Sequence, residues 1–175
     1  MKRNLSVKRV LLLSVCAAAA WFGIAADHPH RTVPIAGTFG TSFNLIPTAT
    51  PGVFHNSIQG VGNVPRLGVC TVVIDETVDL RTVPAVGVQD WVLTFADGSQ
   101  LTASLQGDGT FDQTDPAFVK IELRGTITGG TGRFQDATGE LHGPGVAHAD
   151  TTPGFFPAQG HGTLALEGIL RHKKQ

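Results

Sequence analysis

Residues 117–128 alternate apolar and polar side chains over most of their length, and this alternation constrains the fold more than any other feature of the chain. Successive side chains of a β-strand point to opposite faces, so the run predicts a strand with one buried and one solvated face. The apolar parity contains Ala117, Val119, Ile121, Leu123 and Ile127, and the polar parity contains Lys120, Glu122, Arg124, Thr126 and Thr128. One-sided burial of this kind is typical of antiparallel sheets.

The dipeptide Asp97-Gly98 separates two further alternating runs, "WVLTF" and "SQLTASL". Asp-Gly readily supplies the positive φ angles of a type I′ turn, whose twist matches that of a β-hairpin. The pattern therefore predicts a hairpin with one shared buried face, formed by Leu93, Phe95, Leu101, Ala103 and Leu105.

Four other segments have the character of strands: residues 33–43, 53–61, 68–75 and 162–170. In the first of these, Val33, Ile35, Phe39 and Phe43 share one parity. After the first 25 residues there is no sustained helical periodicity. About seven or eight short strands, with no room for crossover helices, predict an all-β antiparallel domain over residues 32–170.

A sheet that buries only one face must pack against a second sheet or close on itself. The last predicted strand, "GTLALEGIL", is as apolar as the inner ones. Closure would pair it with the first strand and leave no exposed edge, so a β-barrel is favoured. A two-sheet sandwich stays open as the alternative.

The glycine stretch at 129–132, Gly-Gly-Thr-Gly, raises the question of a phosphate-binding loop. A Walker loop requires Lys and Ser or Thr after its last glycine, whereas Arg133 and Phe134 follow here. A dinucleotide fingerprint counted from Gly130 places Gln135 at its third glycine. We therefore interpret Gly129, Gly130 and Gly132 as a structural corner that reverses the chain, with Phe134 returning as an apolar plug.

The segment "ITGGTGRFQDATGEL" resembles the TGG-[ST]-G-x-[FY] segment of allene oxide cyclases and the related glycine turn of plant dirigent proteins. It is also similar to segments of bacterial secreted proteins of unassigned activity. In the same order along the chain, "GVCTVVID" resembles the Gly-x-Cys strand of the cyclases, and "GTLALEGIL" resembles their closing strand. The resemblance implies an eight-stranded antiparallel barrel with an apolar cavity, assembled as a dimer or trimer and using no metal or organic cofactor.

The activities that the resemblance implies depend on few residues of this chain. Cyclases fold a fatty-acid-derived allene oxide into a cyclopentenone, and dirigent proteins steer the coupling of phenoxy radicals. Cys70 matches a pocket cysteine of the cyclases, and Asn44 and Pro51 correspond to the asparagine and the proline of the cyclases. Ser42, however, occupies the place of their glutamate, and the chain has no tyrosine. Cyclisation is therefore not favoured.

Inward-pointing aromatic and thiol side chains are the predicted lining of any ligand cavity: Phe39, Phe43, Cys70, Trp91 and Phe95. The interior of an eight-stranded barrel holds either packed side chains or one small ligand, so both outcomes stay open. Cys70 lies between β-branched residues with no adjacent cation, which favours a buried thiol over a reactive one. No G-x-S-x-G elbow and no paired nucleophile and base can be identified, so we predict no catalytic residue.

Four residues near the end of the chain form a candidate metal-ligand set: His142, His148, Asp150 and His161. Gly143-Pro144-Gly145 interrupts the set, so the faces of these side chains cannot be inferred, and no two of the four residues have a tight H-x-H or H-x-x-x-H spacing. We interpret them as solvated loop residues and predict no metal and no cofactor.

Residues 1–25 have the layout of a secretory signal peptide, with a basic start, an uncharged stretch and small residues at its end. Cleavage after Ala25 or Ala26 is expected, and an uncleaved anchor is the alternative. Residues 26–31 are then a flexible lead, and residues 171–175 a solvated basic tail. Of the two cysteines only Cys70 survives cleavage, so no intrachain disulfide can form.

Loss of residues 1–25 changes the net charge to −5, because they carry four of the 13 lysines and arginines and none of the 14 acidic residues. A mildly acidic domain without a basic stripe argues against nucleic acid as a partner.

We expect a secreted or periplasmic barrel, not stably inserted in a membrane, that binds a small apolar ligand or a protein without catalysis. A cofactor-free isomerase or cyclase is one alternative, and a structural surface protein with a filled barrel is the other. A carboxylate or histidine projecting into an open cavity would favour the enzyme.

Overall fold

A computed structural model describes residues 30–173 of the chain, with the side chains of residues 31–172. Eight strands form a closed antiparallel barrel in which each strand pairs with its neighbours in chain order. They are β1 (His30–Pro47), β2 (Val53–Val64), β3 (Gly68–Asp79), β4 (Ala85–Phe95), β5 (Gln100–Phe111), β6 (Phe118–Gly130), β7 (Thr138–Ala149) and β8 (Ala158–Lys173). A single turn of 3₁₀ helix at Gly132–Phe134 precedes β7. The predicted eight-stranded barrel is confirmed.

The barrel closes through β1 and β8, which pair from His30 opposite Lys173 to Leu45 opposite Ala158. The sandwich alternative is therefore wrong. Closure also draws residues 30–31 and 171–173 into the paired strands, although the sequence suggested a flexible lead and a solvated tail there. The expected signal peptide and residues 26–29 lie outside the described residues. Within residues 30–173, no helix is long and apolar enough to cross a membrane.

The hairpin between β4 and β5 is confirmed, and all five residues of its predicted shared face are buried. Its turn is not of type I′, because Gly98 has a positive φ of 79° and Asp97 does not. The Gly98 amide donates to the Phe95 carbonyl at 2.9 Å, and the Asp97 carboxylate accepts from the Ser99 amide at 3.0 Å. This is the longer hairpin connection, in which a type I turn is followed by a glycine in the left-handed region.

Strand β7 was not predicted, because three of its inward positions carry glycine and only one, Leu141, carries a large apolar residue. Gly139 and Gly143 lie so close to the β8 backbone that a Cβ atom at either would overlap a carbonyl oxygen. Pro144, which has no N–H group, further obscures the strand pattern. The interpretation of the nearby histidines as loop residues is consequently wrong: His142 and His148 lie in β7 and His161 lies in β8.

Candidate functional site

The interior of the barrel differs between its two ends. The open end is surrounded by the loops 48–52, 80–84, 112–117 and 150–157, and the packed end by the loops 65–67, 96–99 and 131–137. Toward the packed end, large side chains fill the interior as one apolar cluster. Phe39 and Trp91 belong to it and meet edge to face, with ring centroids 5.7 Å apart. This half of the barrel has the side-chain packing of an ordinary core.

The glycine corner covers the packed end. Gly129 and Gly130 end β6, and Gly132, with a φ of 59°, starts the 3₁₀ turn that places Phe134 in the interior at 1% exposure. The Phe134 ring lies 5.0 Å from that of Phe95. The Arg133 guanidinium stacks over both rings, donates to the Leu67 carbonyl at 2.8 Å and lies 3.4 Å from the Asp97 carboxylate. These contacts join the three loops of the packed end into one cover.

Toward the open end the interior contains a cavity of about 200 Å³. It exists because the inward positions of the strands change here from large residues to small ones. The small residues that line it are Ala85, Gly87, Gly107, Gly109, Ala147, Ala149, Ala158 and Gly162. This change of size along the inward parity is visible in the sequence of β4 and β5, so the cavity had a sequence signal that the prediction did not use.

The predicted ligand-binding residues separate between the two halves. Phe43 lines the cavity, and its role in ligand binding stays a prediction. The other four, Phe39, Cys70, Trp91 and Phe95, lie in the packed cluster and do not line the cavity. Cys70 is only 3% exposed, and burial raises the pKa of its thiol, so the reactive thiolate is disfavoured.

Ser42 and Asn44 are the residues that the resemblance matches to the glutamate and asparagine of the cyclases. In β1 they point to the opposite face from Phe43. Neither lines the cavity, whereas Thr41 and Leu45 do. The buried amide and carboxyl groups of the cavity wall come from other strands, β2, β3 and β4.

A buried carboxyl group, that of Glu76 on β3, lies on the cavity wall with 8% exposure. Asn56 Nδ2 donates to its Oε2 at 2.7 Å, and Gln89 Nε2 donates to its Oε1 at 2.7 Å. Trp91 Nε1 in turn donates to Gln89 Oε1 at 2.8 Å. An indole N–H can only donate, so it directs the amide oxygen of Gln89 toward Trp91 and the amide nitrogen toward Glu76.

Two opposing effects set the proton affinity of this carboxyl group. Burial raises the pKa of Glu76, and the hydrogen bonds from Gln89 and Asn56 oppose that rise. The net pKa lies above the ordinary value of 4.5. A carboxyl group with a raised pKa in an apolar cavity can give up or take a proton closer to neutral pH than an exposed one.

Glu76 was missed because the predicted strand ended at Asp75, whereas β3 continues to Asp79. The inward parity of that strand, set by Cys70, Val72 and Ile74, continues directly to Glu76. Extending the predicted strand by one residue would have placed a carboxylate inside the barrel.

The rim of the open end is aromatic on one side and charged on another. Phe156 stacks on Phe54 with ring centroids 4.3 Å apart, and Phe155 beside it is 71% exposed. On the loop 80–84, Arg81 binds Asp79 through a side-chain pair at 2.6 Å. The aromatic side of this rim suits the entry of an apolar molecule.

No protein-family model matches this chain, and no curated protein matches it. Among solved structures, the pterocarpan synthase dirigent protein PsPTS1 aligns with a TM-score of 0.38 and 12% sequence identity. The alignment covers 84% of this chain and 97% of that chain. The fold assignment accordingly rests on the strand order and pairing of the chain itself.

Proposed function

We propose that this protein binds one small, mostly apolar molecule in the open half of its barrel. The observation that supports this most is the cavity of about 200 Å³ whose wall is apolar except for a few groups, among them the hydrogen-bonded set Glu76, Asn56 and Gln89. An apolar cavity of about 150 Å³ accommodates benzene. A ring-sized molecule therefore fits inside, and a longer one extends through the mouth.

The ligand carries a hydrogen-bond donor, such as a hydroxyl group, on the part that lies deepest. Asn56 Oδ1 is buried and has no hydrogen-bond partner, while Asn56 Nδ2 is occupied by Glu76. Leaving a buried polar atom unpaired costs about 1–3 kcal/mol. A ligand hydroxyl that donates to Asn56 Oδ1 removes this cost, which favours a hydroxylated ligand over a pure hydrocarbon.

The second candidate is a cofactor-free isomerase or cyclase, and the buried carboxyl group of Glu76 is the observation that favours it. A carboxyl group that donates a proton to one atom of a substrate and regains one from another leaves the proton count unchanged. Such a reaction rearranges bonds without an external oxidant or reductant. An apolar cavity that excludes water would protect a reactive intermediate during this step.

Export and assembly complete the proposal. The basic start and uncharged stretch of residues 1–25 support secretion or delivery to the periplasm. The resemblance to cyclases and dirigent proteins supports a homodimer or homotrimer. Native mass spectrometry of the exported protein measures the cleavage site, the number of chains and any retained ligand together.

The cavity is tested with a pair of matched variants on β5. Gly109 faces the cavity, and a Cβ atom there meets nothing closer than 3.3 Å, so Gly109→Phe places a ring in the cavity. Thr110→Phe adds the same ring to the exposed outer face of the same strand. We expect wild type and Thr110→Phe to release one small molecule on extraction and Gly109→Phe to release none. A wild-type protein that releases nothing, or a Gly109→Phe variant that retains as much, contradicts the proposal.

Incubation of the released molecule with wild type and with Glu76→Gln separates binding from catalysis. A molecule recovered unchanged from both supports a binding protein. Conversion to a product of identical mass by wild type, abolished in Glu76→Gln, supports the isomerase.

A further inference from the structure

We propose that His148, Asp150 and His161 form a binding site for a divalent transition-metal ion of the Zn²⁺ class on the outer face of the barrel. His148 on β7 lies directly opposite His161 on β8 in the strand register. Asp150 follows His148 by two residues, and its amide continues the strand pairing by donating to the Gln159 carbonyl at 2.8 Å. One nitrogen or oxygen atom of each residue lies within 4.8 Å of those of the other two.

The distances are close to those of an occupied site. Asp150 Oδ1 lies 3.1 Å from His161 Nδ1 and 3.8 Å from His148 Nδ1. In a tetrahedral Zn²⁺ site the ligand atoms are about 2.0–2.1 Å from the metal and hence about 3.3 Å from one another. Small side-chain rotations on two hydrogen-bonded strands therefore suffice to surround an ion.

Two further observations point to a ligand at His148 Nδ1. This nitrogen is buried and has no hydrogen-bond partner. The other ring nitrogen, Nε2, lies 3.6 Å from the carboxylate of Asp115, on the loop 112–117. Metal-ligating histidines commonly direct their second N–H to a carboxylate, which leaves the first nitrogen free to bind the metal. Asp115 is thus placed to select Nδ1 of His148 as the ligand atom.

The ligand chemistry selects the class of ion. Two imidazoles with one carboxylate suit Zn²⁺, Cu²⁺ or Ni²⁺, whereas Ca²⁺ and Mg²⁺ prefer all-oxygen sets. The carboxylates of Asp150 and Asp115 balance the charge of the ion. The side chains of His161 and Asp150 are exposed, so water can take the fourth position.

The site joins the loop 150–157 to β8. Asp150 is the first residue of this loop, and Thr151, Thr152 and Phe155 line the cavity. A bound ion would tie the beginning of the loop to His161. The proposal does not depend on the identity of any cavity ligand, and its test uses the metal alone.

The chain offers a matched control in His142. It lies on the same outer face of β7, opposite Glu167 of β8, and its Nδ1 is 3.7 Å from the Glu167 carboxylate. This pair is an exposed imidazole and carboxylate without the second imidazole. Removing it should leave metal binding unchanged.

Isothermal titration of the untagged full chain with ZnCl₂ tests the site, with His161→Ala, Asp150→Asn, Asp115→Asn and His142→Ala as variants. We expect His161→Ala and Asp150→Asn each to weaken Zn²⁺ binding by about 100-fold or more, and Asp115→Asn by about 10–100-fold. His142→Ala should bind as wild type. Thermal melting of each apo variant checks that the substitution leaves the fold intact.

Nitrogen-15 NMR identifies the ligand atoms. Zn²⁺ should shift the Nδ1 resonances of His148 and His161 and leave those of His142 in place. Absence of saturable Zn²⁺ binding, or binding that His161→Ala leaves unchanged, overturns the proposal. It is also overturned if His142→Ala weakens binding as much as His161→Ala.

Discussion

Gly87 on β4 leaves open the space that the Glu76 carboxyl group of β3 occupies, since a Cβ atom at position 87 would overlap Glu76 Oε1. The position of the carboxyl group therefore depends on a neighbour that has no side chain. Asn56 and Gln89 hold its two oxygens from either side. Glycine at this position is a steric requirement of the polar group in the cavity.

Replacing Gly87 with alanine should displace the Glu76 carboxyl group and break at least one of its hydrogen bonds. We expect the free energy of unfolding to fall by about 1–3 kcal/mol, as for overpacking of a filled interior. Chemical unfolding in urea measures this. Gly40→Ala is the control, because a Cβ atom at that position meets nothing within 4 Å. Equal stability losses in both variants would mean that glycine matters for the strand backbone and not for the carboxyl group.

Glu76 should make the protein less stable as the pH rises. Its pKa in the folded state lies above the ordinary 4.5 of the unfolded chain, so the native state binds more protons between the two values. The free energy of unfolding consequently falls as the pH increases from about 4.5 through the pKa of Glu76 in the folded state. The Glu76→Gln variant should lack this part of the slope. Urea unfolding of both proteins over this pH range tests it, and parallel pH profiles would contradict the raised pKa.

Phe134 should be among the side chains on which stability depends most. It is 1% exposed and packs against Phe95, so Phe134→Ala should lower the free energy of unfolding by about 3–5 kcal/mol. Phe155, on the rim of the open end, is 71% exposed, and Phe155→Ala should change stability by less than about 0.5 kcal/mol. Thermal or urea unfolding compares the two, and a small effect of Phe134→Ala would show that the glycine corner does not cover the packed end in solution.

The Asp79 carboxyl group at the rim should titrate with a pKa of about 2, because the Arg81 side chain and the Arg81 backbone amide both donate hydrogen bonds to it. Arg81→Ala removes the larger of these effects and keeps the amide. We expect the pKa of Asp79 to rise toward, but not reach, its ordinary 3.8. Carbon-13 NMR of the carboxyl group measures the titration. A value that stays near 2 in the variant would assign the shift to the backbone alone.

Periodicity predicted the fold well where inward residues are large. Large apolar residues at alternate positions, such as Leu93, Phe95 and Leu101, predicted the strands that contain them. The apolar character of the last strand indicated that the sheet closes into a barrel. It failed where inward residues are small. In β7 three of the interior positions are glycines, at 139, 143 and 145, and Leu141 is the one large apolar residue among them, so the strand carried too little alternation to detect.

The candidate sites show a similar division. Glu76 lies on the inward parity of a predicted strand, so its direction was readable once the strand was extended by one residue. Its partners, Asn56 and Gln89, come from two other strands, and nothing in their local sequence links them. The cluster of His148, Asp150 and His161 likewise depends on the register of β7 against β8.

Alternating side chains were sufficient to determine an antiparallel sheet with one buried face, because the direction of a strand side chain follows from its position alone. Closure brought together residues far apart in the chain, and the strand register then decided which of them meet. The carboxyl group held between two amides and the three side chains of the proposed metal site both arise at that stage. Each depends on distances between strands, and a single strand contains no information about those distances.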